Sequence, residues 1–266
     1  GVYMLGLANE PGGYLGEDPA LAVGFAGFVE QVVSHVHAIA PELACTVVFA
    51  GPSDAAIPTL MPLLDVASFN GYAYDFVESS TCQVEGVNLP LYEASTGDGV
   101  GPLLDQMIEA ADGRLICVQE FGQATGWGDM PLTLGANAGL DNQKAIMDAV
   151  VEALDERRAH FRTFCLWTLN DHSMEGIAYV GDALEAEGFP SCFADNAEEI
   201  FGPTGIVRSD ETASKKPAFD AFKQGVTFFA AGAEPVPGMS LWGGIVLMLG
   251  MSACGTFLLC YWSPRS

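Results

Sequence analysis

The stretch Val2-Tyr3-Met4-Leu5-Gly6-Leu7-Ala8-Asn9-Glu10-Pro11-Gly12-Gly13, followed by Asp18-Pro19 and a long amphipathic run, decides how this chain is read. Val2–Ala8 is an apolar run of strand length, closed by two polar side chains, Asn9 and Glu10. Pro11-Gly12-Gly13 then turns the backbone away. Asp18 is a helix cap and Pro19 suits a first helical turn, so a helix is expected to about Ala40. The result is a strand with a polar tip, then a helix.

Working outward, the same unit recurs. Leu43–Ala50 reads as a second strand closed by Gly51-Pro52, and Val66–Tyr72 as a third. A long loop is expected from about Asp75 to Asp98, then a helix near Pro102–Ala111. Leu115–Gln119 is a fourth strand ending at Glu120, and Asn142–His160 a helix with Ile146, Val150, Val151 and Leu154 on one face. Thr163–Leu169 is a fifth strand, followed by a loop-rich insertion to about Pro203 and a short closing helix, Pro217–Gln224. Alternating strands and helices predict an α/β fold, a parallel sheet covered by helices. Asn9, Glu10, Tyr72, Tyr74, Glu120, Trp167, Asn170 and Asp171 cluster just after strand ends. Barrels and doubly wound sheets both place their sites there, so this pattern leaves the choice open. No glycine-rich phosphate loop is present, which lowers the case for a nucleotide.

Half of the 266 residues are hydrophobic and the formal net charge is −24, with no Lys or Arg before Arg114. Such a field repels phosphate backbones and acidic lipid and argues against nucleic-acid binding; it fits a neutral substrate, or an exported protein kept soluble by its acidity. Seven cysteines show no paired zinc spacing. Cys45, Cys117 and Cys165 lie in apolar runs and read as small buried hydrophobes, whereas Cys82 and Cys192 sit in polar stretches where they are able to pair. His35 and His37 lack the spacing of a metal pair and read as surface residues. No metal site or cofactor is indicated.

Glu10 and Glu120 carry the chemistry. Each ends a strand beside residues that open the backbone, and hydrolysis of a glycosidic bond needs two carboxyls flanking that bond. The local motifs resemble those of the clan A retaining glycoside hydrolases. Leu7-Ala8-Asn9-Glu10-Pro11 resembles the motif ending the fourth barrel strand, and Ser68-Phe69-Asn70-Gly71-Tyr72 falls at the sixth. Val118-Gln119-Glu120-Phe121-Gly122 resembles the seventh-strand nucleophile motif, and Phe164-Cys165-Leu166-Trp167-Thr168-Leu169-Asn170-Asp171 the eighth strand. Gly205–Asp210 leading to Lys216-Pro217-Ala218-Phe219 resembles the entry to the last helix.

The resemblance, family 5-like or family 2-like, implies strands four to eight of a partial (β/α)8 TIM barrel over residues 1–229. It implies an O-glycosyl hydrolase with Glu10 as acid/base and Glu120 as nucleophile, their carboxyls about 5–5.5 Å apart, and Glu120 kept ionised by hydrogen bonds. Asn9 would hold a sugar hydroxyl, Tyr72 would orient Glu120, Trp167 would stack under the ring, and Asn70 would contact substrate. Trp127, in a glycine-rich loop, and His172, after the eighth strand, are further substrate-contact candidates. A poly- or oligosaccharide is the implied partner. A non-catalytic surface-anchored carbohydrate-binding barrel and a β-glucan transglycosylase remain alternatives. Strands one to three have no counterpart, so the chain alone is expected to be unstable or inactive unless they are supplied.

Residues 230–240 read as a linker, and no charged residue occurs between Glu234 and Arg265. Residues 241–262 are long enough for a transmembrane helix crossing ~30 Å of hydrocarbon. Val236-Pro237-Gly238-Met239-Ser240-Leu241-Trp242-Gly243 resembles the IPTL-type sorting signal of Gram-negative bacteria. It implies an exported, surface or membrane-anchored protein and a sorting peptidase as partner.

Overall fold

The computed structural model describes residues 4–15, 18–72, 74–84, 86–125, 139–166, 174–206, 208, 214–231 and 259–262. In chain order the elements are β1 (Met4–Asn9), α1 (Pro11–Leu15), α2 (Pro19–Ile39), β2 (Ala44–Phe49), α3 (Ile57–Leu60), β3 (Ala67–Asn70), β4 (Tyr74–Val84) and β5 (Val87–Ala94). They continue with α4 (Val100–Ala110), β6 (Ile116–Glu120), α5 (Leu140–Glu156), β7 (Phe161–Leu166), α6 (Met174–Ala186), α7 (Ser191–Phe201), α8 (Pro217–Ala231) and β8 (Leu259–Trp262). The main sheet runs β1-β2-β3-β6-β7-β8, and every pairing up to β7 is parallel. Helices α2, α3, α4 and α5 make the four crossovers. Spatial order therefore follows chain order, apart from the hairpin. A doubly wound sheet reverses at a switch point and a (β/α) barrel does not, so the order fits a partial barrel.

The two faces of the strands differ in chemistry because side chains alternate. Cys45, Val47 and Phe49 of β2 and Ala67 and Phe69 of β3 join one buried cluster with Val29 and Val33 of α2, Leu104 and Met107 of α4, and Ile146 and Val150 of α5. The i, i+4 spacing of Val29 and Val33 sets one stripe of α2 against the sheet. The opposite face of β2 and β3 carries Thr46, Ser68 and Asn70, all buried. Thr46 Oγ1 donates to Ser68 Oγ at 2.9 Å and to the Val66 carbonyl at 2.8 Å. A polar interior thus leads up to the strand ends. Asp18 caps α2 as expected, its carboxylate accepting from the Ala20 amide at 2.8 Å.

Several expectations are corrected. The region read as a loop from Asp75 to Asp98 holds the antiparallel hairpin β4–β5, turned at Gly86 with φ of 81°. Alternation within Tyr74–Val84 is broken by polar residues on both faces, which hid its strand period. The insertion before Pro203 contains α6 and α7, which bury Ile177, Ala194 and Ala197. α8 runs on to Ala231, into the expected linker; the remainder of 230–240 lies outside the described residues. The expected membrane helix at 241–262 also lies outside them, except for Leu259–Trp262, which are extended and pair antiparallel with β7. An unpaired strand edge offers a row of backbone donors and acceptors, and this segment satisfies them. Among the described residues no helix is long and apolar enough to cross a membrane.

Cys82 of β4 and Cys192 of α7 form a disulfide across 110 residues, with Cα atoms 5.6 Å apart. Cys45 and Cys117 are free and buried, but Cys165 is disulfide-bonded, a correction to its reading as a plain hydrophobe. Closing so long a loop restricts the unfolded chain. The double substitution Cys82→Ala/Cys192→Ala should cost about 2–4 kcal/mol, read as a lower urea midpoint.

Candidate active site

β1 delivers Glu10 in an uncommon way. Glu10 has φ of 48°, the left-handed region, which costs a non-glycine residue on the order of 1–3 kcal/mol and persists only where neighbours enforce it. Its amide donates to the Val48 carbonyl at 2.7 Å, and its own carbonyl accepts from the Gly13 amide at 3.3 Å. Gly12 lets this turn lie against Asp54: a Cβ there would sit 2.2 Å from Asp54 Oδ1. Asp54 cannot easily yield, because it accepts from the Ala56 amide at 2.8 Å and the Ala50 amide at 3.1 Å. The Glu10 side chain is thereby turned off the line of the strand.

Glu120 is the last residue of β6 and the register partner of Asn70. Its carbonyl accepts from the Gly71 amide at 2.7 Å. Its carboxylate accepts from the Tyr72 hydroxyl at 2.5 Å. On the other side of the same tripeptide, Asn70 Nδ2 donates to Glu10 Oε1 at 2.7 Å and to Asn9 Oδ1 at 3.4 Å. Asn70-Gly71-Tyr72 thus holds both carboxylates, one through an amide and one through a phenol. The Tyr72 ring stacks on Tyr74, centroids 5.7 Å apart and planes at 22°. Phe121 packs beneath against Phe164, centroids at 5.0 Å.

Burial pushes the Glu120 carboxyl above its ordinary value; the Tyr72 hydrogen bond opposes this, and the charge of Glu10 adds to it. The hydrogen bond expected to keep Glu120 ionised is present, but burial outweighs it. Tyr72 is pushed far above the usual phenol range, first by burial and then by the Glu120 charge, so it stays a donor.

Of the residues singled out in the sequence, Asn9, Glu10, Asn70, Tyr72 and Glu120 come together. Trp127, Trp167, Asn170, Asp171 and His172 lie outside the described residues. Asn70 does more than was read from its position, since it binds the Glu10 carboxylate directly. Asn70 is 1% exposed and its Oδ1 makes no hydrogen bond among the described residues. Gln123, three positions after Glu120, was missed: it is 4% exposed with both amide atoms unsatisfied among the described residues. Its only sequence signal was its place after a site strand.

No family model matches the sequence, and no curated protein matches it. Among solved structures, the chain is similar to a glycoside hydrolase family 17 β-1,3-glucanosyltransferase from Rhizomucor miehei, with 17% identity, TM-score 0.46, and coverage of 77% of this chain and 59% of that one. It is similar to the GH53 catalytic domain of Ignisphaera aggregans, with 16% identity, TM-score 0.49, and coverage of 83% and 58%. A third is a β-glucuronidase from Bifidobacterium dentium, with 19% identity, TM-score 0.49, and coverage of 87% and 31%. The chain therefore spans less than two thirds of the length of each.

The raised Glu120 carboxyl sets the sign of a stability effect. The folded state holds this proton more tightly than the unfolded chain, so the stabilising contribution is full below the ordinary value of 4.5 and is lost as pH rises through the raised value. Glu120→Gln should therefore raise Tm at neutral pH, and the gain should vanish in acid. Tyr72→Phe should move the Glu120 titration to still higher pH, read by carboxyl carbon NMR.

Proposed function

We propose that the chain hydrolyses β-glycosidic bonds of a neutral glycan by double displacement, with Glu120 as nucleophile and Glu10 as acid/base. The observation that carries this reading is the Asn70-Gly71-Tyr72 bridge, which fixes two carboxyls from different strands at the same end of a parallel sheet. The partners suit different tasks. Glu120 Oε attacks the anomeric carbon while the bond to the leaving oxygen breaks and that oxygen takes the Glu10 proton. Glu10, now ionised, removes a proton from water, whose oxygen attacks the same carbon and releases Glu120. Tyr72 donates to Glu120 before attack and again when its carboxylate is released. Asn9 and Asn70, whose Oδ1 has no hydrogen bond among the described residues, would bind sugar hydroxyls, and Trp127, Trp167 and His172 would supply further sugar contacts.

A desolvated carboxylate is a stronger nucleophile, and its raised pKa carries a cost in acid. Turnover should fall as pH drops through the Glu120 value, at higher pH than for an ordinary carboxyl. Glu10→Gln should lower kcat/KM about 10²–10⁴-fold for substrates with poor leaving groups and spare kcat/KM for activated aryl glycosides, whose kcat falls because hydrolysis of the glycosyl-enzyme loses its base. Incubation with 2-fluoro aryl glycosides should leave one sugar on the peptide carrying Glu120, seen by mass spectrometry. Labelling elsewhere, or turnover surviving Glu120→Gln, would sink the assignment. Product analysis with added acceptor sugar separates hydrolysis from transglycosylation.

The same reading places the protein outside the cytoplasm, supported by the Cys82–Cys192 disulfide. The uncharged segment 241–258 would then act in sorting or membrane attachment, supported by its apolar composition. Cell fractionation tests this; recovery of all the protein from cytosol, with both thiols reduced, would overturn it.

A further inference from the structure

At the end of the sheet opposite the two carboxylates, three unlike donors converge from three elements. His37 lies in the last turn of α2, Cys45 is the second residue of β2, and Asp65 precedes β3. One ligand atom from each lies within 4.8 Å of the other two. Nothing in the proposed glycosidase chemistry uses them.

Their arrangement is fixed by backbone bonds. Asp65 Oδ2 accepts from the Cys45 amide at 2.7 Å, and the Asp65 amide donates to the Cys45 carbonyl at 3.1 Å. This two-way pairing clamps Asp65 to the start of β2. His37 Nε2 lies 2.9 Å from the same Asp65 Oδ2. Cys45 is fully buried and free, so its sulfur is shielded from oxidants, while His37 and Asp65 are open to solvent and leave an entry path.

We infer that His37, Cys45 and Asp65 form a binding site for one divalent, borderline-soft cation of the zinc type. Nitrogen, thiolate sulfur and carboxylate oxygen are the donors such an ion takes, at ~2.0–2.3 Å each, which puts tetrahedral ligands ~3.3–3.8 Å apart. His37 Nε2 and Asp65 Oδ2, 2.9 Å apart, would open slightly, and the other pairs, within 4.8 Å, would close by up to about 1 Å to reach that spacing. A hard ion such as Mg²⁺ or Ca²⁺ prefers oxygen alone and is disfavoured by the sulfur. With three protein ligands, the fourth position would hold water. The ion would pin the C-terminus of α2 to β2 and to the approach to β3, far from the reacting carboxyls. The ion takes the Cys45 sulfur as a thiolate, so binding releases a proton.

The test uses the full chain and Co²⁺ as a spectroscopic stand-in, with Zn²⁺ as competitor. One equivalent of Co²⁺ should bind with a near-ultraviolet thiolate-to-cobalt charge-transfer band, and Zn²⁺ should abolish the band and raise Tm. Cys45→Ser should remove the band. His37→Gln, which keeps a side-chain donor for Asp65 at a solvent-facing position, should weaken Zn²⁺ binding at least tenfold with an unchanged circular dichroism spectrum. Absence of the band in the wild-type chain, or its persistence in Cys45→Ser, overturns the site. Unchanged Zn²⁺ affinity in His37→Gln overturns it too, leaving His37–Asp65 as an ion pair alone.

Discussion

Two carboxylates held close in a partly buried site repel each other, and the protein answers with a single tripeptide. Asn70 donates to Glu10, Tyr72 donates to Glu120, and the Gly71 amide between them binds the Glu120 backbone. The bridge works only if β3 sits between β1–β2 and β6 in the observed register. That register in turn depends on which faces of β2, β3 and β6 meet the helices. A shift of one residue would exchange Phe69 with Asn70, placing an aromatic ring in the site and an amide in the core. Packing of the helices and placement of the carboxyls are thus one constraint.

The glycines and the strained backbone near the site follow from the same demand. Glu10 must leave the strand direction to reach Asn70, and its left-handed conformation achieves this at a cost borne by the surrounding hydrogen bonds. Gly12 provides the close approach to Asp54 that holds the turn. Burial of Glu120 is a second cost. A site that makes a carboxylate reactive by removing water also makes the fold less stable while that carboxylate is charged.

The two ends of the sheet differ in chemistry. The C-terminal strand ends carry acids, amides and phenols in a partly buried network; the hairpin β4–β5 that follows β3 is tied to α7 by the Cys82–Cys192 disulfide. The other end carries His37, Cys45 and Asp65, donors suited to a single ion and remote from that network. A chain of net charge −24 gathers cations, and only a soft donor at the right spacing selects among them.

Much of the site was legible in the sequence because strand ends announce themselves. Asn9-Glu10-Pro11 and Gln119-Glu120-Phe121-Gly122 place polar residues after apolar runs, and strand–helix alternation predicted the parallel sheet. The segments 74–94 and 174–201 differ from the loops expected there because Glu78-Ser79-Ser80-Thr81 interrupts the apolar alternation of the hairpin and because the Cys82–Cys192 disulfide joins the two across 110 residues, which no local pattern encodes. Sequence alone fixed which side chains stand at which strand ends, since side-chain period and chain direction are local properties. Only the tertiary structure decided that Asn70 binds Glu10, that burial outweighs the Tyr72 hydrogen bond at Glu120, and that His37 meets Cys45 and Asp65. Those contacts join residues distant in sequence, and their energies depend on desolvation and register, which exist only once the sheet has formed.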